Sequence, residues 1–111
     1  MVRTARMAKA RSGDVIPVRL AEQIRAQISE YLKGIEVPAG LDEIVEPDME
    51  SGWTDHMFEV KVDAPELRQT EIRNDLYEIL DRVLSELSDK DKHYRGLIGL
   101  WVTKTPASDL V

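Results

Sequence analysis

The sequence predicts an α+β domain: an α-β-β-α-β two-layer sandwich, with two helices on one face of a three- to four-stranded, mainly antiparallel sheet. This is a ferredoxin-like layout or a truncated relative of it. Three observations predict it. Apolar residues recur at helical spacing over residues 16–35 and again over 72–87. Phe58, Val60 and Val62 alternate with Glu59, Lys61 and Asp63, the period of a half-covered strand. Residues 94–105 alternate too, but with apolar side chains on both faces, which suits a central strand or one covered on its second side.

The elements follow in order. Ile16, Leu20, Ile24, Ile28, Leu32 and Ile35 form a stripe at intervals of three or four, predicting a helix from Pro17 to Lys33. Pro17 suits its first turn, where the missing N–H costs nothing, and Gly34 reads as its terminator. Residues 36–55 are punctuated by Pro38, Gly40, Pro47 and Ser51-Gly52, with a short strand expected at Leu41–Val45. The clearest strand is His56–Asp63. A second helix, from Pro65 to Leu87, carries its core stripe on Ile72, Leu76, Ile79, Leu80, Val83, Leu84 and Leu87, and Asp63 is a plausible N-cap. The polar run 88–93 ends that helix, and Tyr94–Thr105 is the last strand. The two middle strands are best joined as a hairpin, and the second helix then crosses over to the last strand.

The chain divides into a basic arm at 1–13, one α+β domain at 14–105 and a patternless tail at 106–111. With 111 residues and 42% hydrophobic side chains it is long enough and apolar enough to bury one core. Cysteine is absent, which excludes disulfides and thiolate metal sites and fits a reducing, cytoplasmic setting. No apolar run reaches the length of a bilayer span.

Charge is unevenly distributed. The net charge is −6, yet Arg3, Arg6, Lys9 and Arg11 stand in residues 1–13 without one acid. From Gly34 to Val60 the imbalance reverses: Glu36, Asp42, Glu43, Glu46, Asp48, Glu50, Asp55 and Glu59 occur with no Lys or Arg. Such a run is either a solvated surface or a site for a basic partner, since acidic loops speed encounter with cations and reject like charge. Trp53 lies within it, either folded onto the core or exposed as an interface anchor. The partner-binding candidates are therefore Glu46, Asp48, Glu50, Trp53 and Asp55. Leu97 and Trp101 make a second apolar spot, through which copies of the chain could associate if the helices leave it uncovered.

Catalytic and cofactor motifs are missing. There is no phosphate-binding glycine loop, no Gly-x-Ser-x-Gly elbow, and no Gly-x-x-Gly clamp between helices of the kind KH domains of the same element order use on RNA. Asp48, Glu50, Asp55 and His56 offer oxygen-rich donors for a divalent metal, but without the spacing of an EF-hand. His56 beside Asp55 invites acid–base chemistry, yet neighbouring strand residues point to opposite faces. His93, in the polar run, reads as an exposed loop residue. Nucleic-acid contact would rest on the basic arm. The expected function is a non-catalytic acidic module that occludes or regulates a basic surface of a partner protein, in the manner of an inhibitor, immunity protein or antitoxin. The alternatives are a subunit of a protein or RNA–protein assembly contacted through the arm, and a small divalent-metal-assisted enzyme.

Overall fold

The computed structural model describes residues 15–47 and 52–110. The basic arm at 1–13, Asp48 and Glu50 fall outside that range. The elements are α1 (Val18–Gly34), β1 (Ala39–Pro47), β2 (Thr54–Val62), α2 (Glu66–Ser85), a 3-10 helix (Asp89–Leu97), β3 (Ile98–Lys104) and a final 3-10 turn (Ala107–Asp109). The sheet order is β1-β2-β3. β1 and β2 form an antiparallel hairpin, and β3 runs parallel to β2 after the α2 crossover. The expected α+β order and the hairpin are thus both present, in a mixed three-stranded sheet.

The helical stripes do what their spacing requires. Leu20, Ile24 and Ile28 of α1 and Ile72, Leu76, Val83 and Leu84 of α2 are buried against Phe58, Val60, Val62 and Leu100 of the sheet. Burying each such side chain contributes roughly 1.5–3 kcal/mol relative to exposure. Tyr31 of α1 adds a polar tie, its hydroxyl donating to Asp75 of α2 at 2.7 Å. Burial and that acceptor push the phenol up to about 12.

Three details differ from the sequence expectation, and the Gly52 turn agrees with it. β1 is nine residues long rather than five, because it pairs with β2 without a break from Ala39 opposite Val62 to Pro47 opposite Thr54. Gly52, at φ 78°, supplies the left-handed turn that brings the chain back into β2. Asp63 does not cap α2: Pro65 occupies the N-cap position, and the Asp63 carboxylate instead accepts the Ala107 N–H at 3.0 Å. Residues 94–97 are not strand but the end of the 3-10 helix. Its three-residue period puts Tyr94 and Leu97 on one buried side.

Candidate functional site

Strand alternation gives the sheet two faces of different character. His56, Phe58, Val60 and Val62 point to the helices. Residues directly opposite one another share a face, so Glu43, which faces Phe58 in the register, lies on the same covered side. The other face holds Asp42, Ile44 and Glu46 of β1, Asp55, Met57, Glu59 and Lys61 of β2, and Gly99, Trp101 and Thr103 of β3. The core-building stripes of α1 and α2 pack on the other side, Leu110 beside the final 3-10 turn reaches the open face at Gly40, and Trp101 is 47% exposed on it.

The register sets the open-face carboxylates in like-charged pairs. Asp42 stands directly opposite Glu59, and Glu46 directly opposite Asp55. Opposed positions lie about 5 Å apart, and like charges there are destabilising. The first pair is relieved: Lys61 Nζ lies 2.7 Å from Asp42 Oδ2, which raises the lysine pKa above its ordinary value, and Thr103 Oγ1 donates to Glu59 at 3.3 Å. The second pair has no ion-pair partner among the described residues. Between the two rows runs an apolar one, Ile44 opposite Met57 opposite Gly99. A Cβ on Gly99 would fall 2.5 Å from Met57 Sδ and 3.8 Å from the Trp101 ring. Glycine here lets Met57 lie across β3 beside the indole.

The covered face treats its charge differently. Arg25 of α1 grips Glu43 through both Nε and Nη2, the latter 2.9 Å from Oε1. His56 Nε2 lies 2.8 Å from that same Oε1, and the imidazole stacks on Phe58 at 4.8 Å. The Arg25 hydrogen bond, with a smaller contribution from His56, holds the Glu43 carboxyl below its ordinary value, and the Arg25 pKa rises in turn. This triplet was not foreseen. It is created by the hairpin register and by α1 lying across β1, neither of which leaves a local signal.

The sequence candidates are therefore split. Glu46 and Asp55 come together on the open face, and Asp42 and Glu59 join them there. Trp53 is half-buried, packs against the core and meets His93 edge-on at 5.9 Å. The indole exposed on the acidic face is Trp101, not Trp53. Leu97 is buried, so it adds nothing to the surface around Trp101. Asp55 and His56 point to opposite faces of β2, which removes them as a joint catalytic or metal pair. Among the described residues no group of three or more His, Asp or Glu side chains could hold a metal ion. No helix among them is long and apolar enough to cross a membrane. Compared with known proteins, the chain matches no family model, no curated protein and no solved structure.

Proposed function

We propose that the chain is a non-catalytic protein-binding module whose open sheet face receives a basic surface of a partner protein, occluding or regulating it. One observation carries the reading: the paired carboxylates Asp42/Glu59 and Glu46/Asp55 bracket the apolar Ile44–Met57 row, and exposed Trp101 ends the Asp42/Glu59 row, on a face that α1 and α2 leave uncovered. The unrelieved Glu46/Asp55 pair costs on the order of 0.2–1 kcal/mol in the free protein. A cationic partner relieves that repulsion, so part of the binding free energy comes from strain already present. The apolar centre supplies desolvated contact within a polar rim, the ordinary anatomy of an interface. A second copy of this face is a poor occupant, since it would set carboxylates against carboxylates. Absence of cysteine suits action in a reducing compartment such as the cytoplasm.

The test is co-purification from the native host of the tagged full chain and of its Glu46→Gln/Asp55→Asn variant. The expected outcome is a basic protein retained by the wild type at low salt, released as salt rises, and depleted with the variant. Retention unchanged by neutralisation would defeat the reading.

A further inference from the structure

Within the open face, one position has the makings of a side-chain seat. Trp101 of β3 lies directly opposite Glu59 of β2 in the register, about 5 Å away at strand spacing. Trp101 is among the exposed large apolar residues of the protein. Met57, laid across Gly99, closes one side of the ring, as the closeness of both to a Gly99 Cβ shows. Thr103, two residues along β3 on the same face, donates its hydroxyl to Glu59 Oε2 at 3.3 Å. That bond restrains the carboxylate and leaves Oε1 for another donor. Lys61, on the same face, makes its ion pair with Asp42 and acts on Glu59 only through space.

We infer that Trp101 and Glu59 together seat an arginine side chain of the basic partner, an inference that rests on the binding reading of this face. A guanidinium is planar and weakly hydrated, so it can lie on an indole while its in-plane N–H groups donate to a carboxylate alongside. A lysine ammonium offers a compact, strongly hydrated charge and can satisfy one demand better than both. Arginine and tryptophan are also the side chains that most often dominate an interface. The seat is shallow, bounded by Met57 on one side and Thr103 on the other, and so takes one side chain rather than a folded surface.

Nuclear magnetic resonance titration of the full chain with a blocked Gly-Arg-Gly peptide tests the inference, with the lysine and citrulline analogues as comparators. The Trp53 indole N–H is the internal reference. The expected result is a shift of the Trp101 indole N–H and of the Thr103 amide with Arg, about threefold or more weaker binding with Lys, and none with citrulline. Glu59→Gln and Trp101→Leu should each weaken the arginine response by about threefold or more; both sites are open to solvent, so the fold should survive. Equal affinity for Arg and Lys peptides, or shifts confined to Glu46 and Asp55 with Trp101 unmoved, would overturn the seat while leaving the acidic face intact as a binding surface. No shift at any open-face residue would overturn the seat and the binding reading together.

Discussion

The two faces of one β-hairpin solve the same problem in opposite ways. On the covered face a lone carboxylate, Glu43, is met by Arg25 from the helix layer and by His56 from the neighbouring strand. On the open face four carboxylates stand in opposed pairs, and the Glu46/Asp55 pair finds no cation among the described residues. The same strands build both arrangements, so propensity does not explain the difference. Burial does. A partly covered charge gains from a partner, because it has lost some of its water. A charge facing water needs no partner and can be left for one that arrives. Glu43 has a further consequence on its side: it points inward from an edge strand, and inward charge discourages another chain from adding to that edge.

Substitutions that erase the contrast should have graded effects. The largest is expected from Phe58→Ala. The ring is fully buried beneath His56 and between the helices, and its loss should destabilise the fold by about 3–5 kcal/mol, read from urea unfolding. Glu43→Ala comes next. It leaves His56 buried without its carboxylate and Arg25 half in water, so a loss of about 1–2 kcal/mol is expected. The same residue fixes a pH dependence. Its folded pKa lies below the ordinary 4.5, so its contribution is present above that value and is lost as the pH falls through the depressed one. Acid unfolding followed by circular dichroism should therefore be shallower in Glu43→Gln than in the wild type. Smaller still is Gly99→Ala. Its methyl displaces Met57 from β3, a flexible side chain that can move aside, so a cost of no more than about 1 kcal/mol is expected, alongside a changed Trp101 emission.

Much of this architecture was legible in advance. Both helical stripes and the Phe58–Val62 alternation are strong local periods, and the core is built on them. The length of β1 was harder to read. Its acids and flanking prolines look like loop chemistry, and only the hairpin pairing makes Ala39–Pro47 one strand. Tyr94 and Leu97 fit a strand as well as the 3-10 helix that holds them, because both tolerate an apolar residue every few positions. The acidic excess at 34–60 was plain, but its disposition was not. The even spacing of 42 with 46 and of 55 with 59 hints at shared strand faces, and a register was needed to set the two pairs opposite each other. Which tryptophan joins them was beyond local reading, since exposure at Trp53 and Trp101 depends on what the helices and the 3-10 turn cover.

A partner surface held in readiness requires the opposed Glu46 and Asp55 carboxylates to be a cost to the free protein. The urea midpoint of the Glu46→Gln/Asp55→Asn protein at low ionic strength measures that cost. It should exceed the wild-type midpoint, by a few tenths to about 1 kcal/mol in unfolding free energy, and the gap should narrow in molar salt. A midpoint equal to or below the wild type would mean that these side chains support the fold or are indifferent to it, and the case for a partner surface held in readiness would be lost.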